Sequence, residues 1–182
     1  QFKSQIEFEF DKKLIKFEKI FCTSTPRRIV LLLEGLVDKG EDEMIIRKGP
    51  KASSAFINGT PTKAAVGFAN SLGIDVDDLE IENTEKGGFV FGKKVRKGES
   101  TRISLSLIIP KVIKSLQGPR FMKWGNGNFK FSRPIRWLVS IYNDEILDFN
   151  LDECDPKIVV GNLSKSHRLI DRVIEINSPD NY

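Results

Sequence analysis

Apolar residues recur every four positions at the start of the chain, at Phe2, Ile6, Phe10 and Leu14. This period favours a helix over 1–15, because it places the apolar side chains on one face. Alternating apolar positions around Phe8 are instead typical of a strand, and the helix is the favoured prediction.

Two apolar runs follow, over 19–23 and 28–36, and both predict strands. Between them lies Pro26, which lacks a backbone donor and therefore fits a bend or a sheet edge rather than a central ladder position.

Residues 60–73 predict a helix with defined ends. Thr60 is expected to cap it, Pro61 to occupy its first position, and Gly73 to end it in a left-handed conformation. The apolar positions after Gly73 predict one more helical turn, so a small helical hairpin is expected near 60–80.

The segment 88–96 predicts a strand, and Ser100 is expected to cap a helix over 101–116. Pro110 lies inside that helix, where its ring removes a backbone donor. It therefore predicts a kink or the start of a second helix.

The sequence Gly125-Asn126-Gly127-Asn128 predicts a hairpin turn between two strands, because glycine and asparagine tolerate a positive φ. More extended chain is expected over 134–142, 146–151, 159–160 and 172–176. Helices and strands intermingle without a βαβ period, which predicts the α+β class with mixed or antiparallel sheets and interspersed helices.

Two regions are expected. Residues 1–46 and 86–182 would form the main α+β region, with a break between sub-domains near 98–118 as an alternative, and residues 47–85 a small helical insertion. Ser178-Pro179-Asp180 resembles the first turn of a helix. The sequence also begins with Gln1 rather than Met, so it is expected to be a piece trimmed at both ends.

The distribution of charged residues along the chain is more informative than the net charge. Lysine and arginine total 29 against 25 acidic residues, a net charge of +4 that is weak support for a nucleic-acid partner. The acids concentrate in 75–85 and 144–155, however, and bases in 47–63 and 118–137. Such segregation predicts one face that is far more positive than the net charge.

The segment 118–137 has no acidic residue and combines cations with aromatic rings. Its candidate RNA contacts are Arg120, Lys123, Trp124, Lys130, Arg133 and Arg136. Cations suit phosphates, and exposed rings such as those of Trp124 or Phe129 suit base stacking. The alternative is a hairpin with its rings in the core and its cationic side chains in solvent.

Lys48 and Lys51 are further candidates, since their loop has the composition of a phosphate-binding turn, although a solvated turn is the alternative. His167 and Arg168 complete the candidate set, with a structural histidine as the alternative to a contact with the RNA backbone. No P-loop, dinucleotide fingerprint, catalytic triad or metal-ligand spacing is recognisable, so no catalytic or metal-binding residue is predicted. Cys22 and Cys154 are expected to be reduced thiols in a reducing compartment.

Several short motifs occur in an order that identifies a family. They are Thr25-Pro26-Arg27-Arg28; Lys48-Gly49-Pro50; Pro61-Thr62-Lys63-Ala64-Ala65; Lys97-Gly98-Glu99; Met122-Lys123-Trp124-Gly125; Phe131-Ser132-Arg133-Pro134; and Ser166-His167-Arg168. From about Phe21 to Leu169 the chain resembles the N-terminal part of the β subunit of bacterial-type heterotetrameric glycyl-tRNA synthetases. No single motif is specific, but the ordered set is.

Two departures accompany the resemblance. The family's opening strand with Gly-Thr-Glu-Glu-Leu-Pro is absent, and Ser166 and Leu169 stand where the family has Gly and Phe in Gly-His-Arg-Phe. The leucine is a tolerable core change, whereas losing the glycine puts in doubt a role that needs close backbone approach.

The resemblance implies an ATP-dependent α2β2 enzyme that joins glycine to tRNA(Gly). The α subunit would hold ATP and Mg at the adenylate-forming site, and this segment would have no active site of its own. A cytoplasmic location follows from the family, with a plastid as the alternative.

Three hypotheses result for the segment. In the first it contributes to tRNA binding; in the second it is an architectural module that docks on protein without touching RNA. The third, that 60–80 is an autonomous peptide-binding hairpin, is disfavoured because so short a segment buries little area unaided.

Overall fold

In a computed structural model the fold is described for residues 1–85, 87–151, 154–155, 157–166, 169–170 and 172–182. The chain divides into two compact units. The first comprises Gln1–Glu41 and Glu99–Tyr182, and the second comprises Asp42–Gly98. The predicted helical insertion, 47–85, lies inside the second unit, but it is not purely helical: it includes strand residues 47–51 and 79–84 as well as helices over 52–55 and 63–72.

The described helices are α1 (Phe2–Lys13), α2 (Ala52–Ala55), α3 (Lys63–Leu72) and α4 (Thr101–Ser115). The longer strands are β1 (Lys19–Thr25), β2 (Arg28–Glu34), β3 (Glu43–Lys51), β6 (Leu79–Thr84) and β7 (Gly87–Arg96). The short strands are β4 (Phe56–Ile57), β5 (Thr60–Pro61), β8 (Met122–Lys123), β9 (Lys130–Phe131), β10 (Leu138–Val139), β11 (Ile141–Tyr142), β12 (Glu145–Ile146), β13 (Val160–Gly161), β14 (Leu163–Lys165) and β15 (Val173–Glu175). The α+β class is confirmed.

In the first unit, α1 packs against α4 and supplies the main core. Ile6 and Phe10 are fully buried there, one helical turn apart as the four-residue period predicts. Pro110 lies within α4, which continues past it as one helix. At the start of α4, Glu99 accepts hydrogen bonds from Lys13 and from the Ser104 hydroxyl, and these bonds, chiefly that from Lys13, lower the pKa of Glu99.

The antiparallel β1–β2 hairpin covers one side of this core. Its two-residue connection is Pro26-Arg27, so the predicted bend at Pro26 is confirmed. Ile20, Leu31 and Leu33 pack on the helical core. No other strand of the described part of the chain pairs with this hairpin.

A second core cluster lies between the end of α4 and the later strands. Its buried members are Ile113, Phe129, Phe149, Leu151, Ile158 and Val160. Parallel pairing of β10 with β13 brings Leu138 beside Val160. Phe129 and Phe131 of the cationic segment, 118–137, pack in and against this cluster.

The second unit is an antiparallel three-stranded sheet in the order β3-β7-β6 with α2 and α3 against it. Ala55, Ala65 and Val90 are fully buried in its core. Gly73 ends α3 with a φ of 67°, as predicted.

The predicted start of α3 is wrong by two residues. Thr62, not Thr60, is the cap, because its hydroxyl oxygen accepts a hydrogen bond from the Ala64 backbone N–H at 3.3 Å. Thr60 and Pro61 instead form β5, paired with β4. After Gly73 the expected second helical turn is a 3-10 turn, Val76–Asp78, that leads directly into β6.

The predicted strand over 134–142 is also wrong in part. Only 138–139 and 141–142 are strands, and they pair with different partners, β13 and β12. The predicted turn at Gly125–Asn128 and the strand over 88–96 are confirmed.

Gly40 offers a test of packing in the first unit. A Cβ at Gly40 would lie 2.4 Å from the Lys13 carbonyl oxygen, whereas a Cβ at Gly161 would meet no atom within 4 Å. We expect Gly40→Ala to lower the free energy of unfolding by about 2 kcal/mol and Gly161→Ala to leave it nearly unchanged. Urea denaturation measures both, and equal midpoints would contradict the prediction.

Candidate nucleic-acid interface

A short β-hairpin, with two residues in each strand, organises the cationic segment. Strands β8 and β9 pair Met122 with Phe131 and Lys123 with Lys130. The indole N–H of Trp124 donates to the Phe131 carbonyl oxygen at 3.0 Å, which extends the link between the two arms. Since side chains alternate along a strand, Trp124 and Phe131 belong to one face and the two lysines to the other.

The aromatic rings of this hairpin pack on the second core cluster. Phe129 is only 8% exposed, and its ring centroid lies 5.8 Å from that of Phe131. The Phe121 ring also packs against Phe131, with ring centroids 6.4 Å apart. The prediction that Phe129 stacks on bases is therefore wrong, because its ring is a core side chain.

The cationic side chains of this segment, in contrast to Phe129, lie in solvent. Arg120, Lys123, Lys130, Arg133 and Arg136 are all exposed. Among the described residues, none of these five makes an ion pair with a carboxylate. Lys123 and Lys130 face each other directly across the ladder, and such like-charge pairs destabilise a hairpin unless an anion neutralises them.

Among the residues that the structure describes, Asp155 contacts the hairpin turn, and it binds backbone. Asp155 Oδ2 accepts a hydrogen bond from the Asn126 N–H at 2.9 Å. Gly125, with a φ of 60°, lies so close that a Cβ there would sit 2.6 Å from the Asp155 carbonyl oxygen. Asp155 thus fixes the turn from which the two lysine-bearing strands leave.

Of the other candidates, Lys48 and Lys51 belong to β3 in the second unit, and both are exposed. The Lys48 ammonium lies 3.5 Å from the centroid of the Phe89 ring, a cation–π contact that orients it. His167 and Arg168 lie outside the described residues. Trp124 is half-buried in the first unit.

A separate polar cleft in the first unit has most of its charged groups already engaged. Arg102 binds Glu145 at 2.8 Å and the Ile146 carbonyl oxygen at 3.0 Å. The Tyr142 hydroxyl donates to Asp38 at 3.0 Å, and burial, then this hydrogen bond, raises the pKa of Tyr142. In the described part of the chain no cluster of three or more potential metal ligands exists. No described helix is long and apolar enough to span a membrane.

Comparison with known proteins bears on this interface. Residues 1–182 match the family model described as glycyl-tRNA synthetase beta subunit. The chain belongs to this family. The matched range covers the whole chain, including every candidate residue named above.

Curated relatives carry the name glycine–tRNA ligase beta subunit. Those of Trichodesmium erythraeum, Acaryochloris marina and Clostridioides difficile are 41%, 39% and 36% identical over 100% of the chain. The chain spans 26% of the length of each of these three relatives.

Asp155 is the residue of this interface that the sequence does not reveal. It belongs to the acidic stretch 144–155, which has the composition of a solvated surface, and it lies 29 positions from Asn126. No local pattern connects the two. The glycine at 125 is the only hint, since a glycine in a turn also permits a close backbone contact.

We expect Asp155→Ala to loosen the hairpin turn. Losing the carboxylate acceptor removes one hydrogen bond of about 1 kcal/mol, so exchange of the Asn126 amide should accelerate about fivefold. Asp155→Asn keeps an oxygen acceptor and should preserve most of the protection. Asp148→Ala removes an exposed acid of the same stretch and serves as the charge control. An equal effect of all three substitutions on exchange of the Asn126 amide would contradict the role of the Asp155–Asn126 hydrogen bond.

Proposed function

We propose that this chain is part of the β subunit of a glycine–tRNA ligase and that its cationic segment contacts the phosphate backbone of tRNA. One observation carries the proposal: five exposed cations of 118–137 form no ion pair within the described residues. A folded polynucleotide supplies closely spaced negative charges that neutralise such a group together.

The proposed contact is with phosphates rather than bases. Phe129 is in the core, and the Trp124 indole N–H is engaged by the Phe131 carbonyl oxygen. The surface left to a ligand therefore consists mainly of ammonium and guanidinium groups. These groups position RNA without reading its sequence.

In this proposal the segment has no catalytic residue. Glycine activation with ATP and Mg would take place in an α subunit, in an assembly of the α2β2 type and in the cytoplasm. The part played by this chain is to hold tRNA for that reaction.

Protein docking without RNA contact is the second candidate. It is favoured by exposed apolar side chains on the sheet of the second unit, including Met44, Ile46 and Val95. Met44 and Val95 lie opposite each other on β3 and β7, so they share one face. An apolar sheet face of this kind is typical of a protein interface.

Replacing Arg133 and Arg136 together by alanine in the whole enzyme tests the proposal. Each lost phosphate contact lowers the slope of log K against log salt concentration by about 0.8, so the pair should lower it by about 1.5. Filter binding of tRNA(Gly) between 50 and 200 mM salt (about the range in which such contacts weaken strongly) provides the measurement.

Two variants serve as controls for this experiment. The lysine pair, Arg133→Lys with Arg136→Lys, should retain the slope because it keeps both charges. Lys97→Ala removes an exposed cation of the second unit and should leave tRNA binding unchanged. An alanine pair with the wild-type slope and unaltered affinity would exclude the proposed contact.

A further inference from the structure

Two β-ribbons of the first unit meet at one guanidinium group. Arg28 closes the β1–β2 hairpin, and its Nη2 donates a hydrogen bond to the carbonyl oxygen of Lys165 in β14. The two residues are 137 positions apart. The contact therefore brings the tip of one ribbon to the end of the other.

The backbones of two more cationic residues lie beside this contact. Arg27 belongs to the hairpin connection and directly precedes Arg28, the first residue of β2. Their Cα atoms are therefore about 3.8 Å apart. On the other ribbon, the Ser166 N–H donates to the Arg172 carbonyl oxygen at 2.8 Å, and the Arg172 N–H donates to the Ser166 hydroxyl at 2.9 Å. This exchange holds Arg172 next to the residue that follows Lys165.

The four cations, Arg27, Arg28, Lys165 and Arg172, are here called the hairpin-tip patch. No ion pair to a carboxylate is found for any of them among the described residues. The hairpin sequence has no acidic residue between Lys19 and Leu33. The hairpin tip therefore has no acidic residue near it in its own sequence.

Hydroxyl groups adjoin these cations. Thr23, Ser24 and Thr25 lead into the hairpin connection, and all three are exposed. The Thr25 hydroxyl also accepts a hydrogen bond from the Arg27 backbone N–H at 3.3 Å. Arginine, lysine and small hydroxyl side chains are the groups that contact phosphate oxygens in nucleic-acid complexes.

We infer that the hairpin-tip patch is a second phosphate-binding surface for RNA, separate in sequence from 118–137. The inference rests on the proposed function, because the RNA is the tRNA that the whole enzyme would bind. Arg28 is a positioning residue that joins the two ribbons, while Arg27, Lys165 and Arg172 supply exposed charge.

Protein is the competing occupant of this surface. Ile29 and Val173, which adjoin the patch, are 58% and 56% exposed, and apolar side chains of this kind fit a protein partner. RNA is favoured because like charges repel one another, none of these four cations has a carboxylate partner among the described residues, and a polyanion neutralises several cations at once.

The test uses the whole enzyme and a tRNA(Gly) transcript. The variant Arg27→Ala with Arg172→Ala leaves the Arg28–Lys165 contact in place, and we expect it to lower the salt slope by about 1.5. Arg27→Lys with Arg172→Lys should restore the wild-type slope. Lys63→Ala with Lys97→Ala removes two exposed charges of the second unit and should not change it.

Each outcome decides the inference. A reduced slope in the alanine pair, with restoration in the lysine pair, supports it. An unchanged slope overturns it, and if Arg133→Ala with Arg136→Ala still lowers the slope, the proposed function stands without this surface. Loss of the α subunit on gel filtration with an unchanged slope would identify a protein interface instead, and equal losses in the control pair would reveal a nonspecific charge effect.

Discussion

The packing of the Phe129 and Phe131 rings on the second core cluster, on one face of the β8–β9 hairpin, is the constraint on which the cationic surface depends. With these rings committed to the core, the alternation of a strand directs Lys123 and Lys130 to the other face. A single residue of register shift would exchange rings and ammonium groups. Apolar packing thereby determines where the charge is displayed, although the facing lysines themselves disfavour the hairpin.

The cost of this arrangement is electrostatic, and it explains the position of Asp155. Cations that lie opposite each other weaken a ladder that contains only two residue pairs. Asp155 stabilises the turn through the Asn126 backbone amide, so the hairpin gains a hydrogen bond that uses no cationic side chain. A lysine–aspartate ion pair would have stabilised the ladder equally well, but it would have removed charge from the surface.

The sequence predicts elements whose determinants are local and misses those that depend on distant contacts. Gly125–Asn128, Pro26 and Gly73 carry their turn chemistry in the residues themselves, and the structure follows it. Thr60 has the composition of a cap, but pairing of β5 with β4 occupies it, so Thr62 caps α3 instead. The Asp155–Asn126 and Arg28–Lys165 contacts link residues 29 and 137 positions apart, beyond the reach of any periodicity.

The inward rings also limit what this chain can contribute to recognition. Base identity is read by groups that reach base edges or stack on bases, whereas exposed lysine and arginine side chains mainly attract phosphates. On the proposed function, a surface with Phe129 in the core and Lys123 and Lys130 outside would supply affinity and orientation more than discrimination among tRNAs. On the proposed function, selection of tRNA(Gly) must then depend largely on parts of the enzyme beyond these 182 residues.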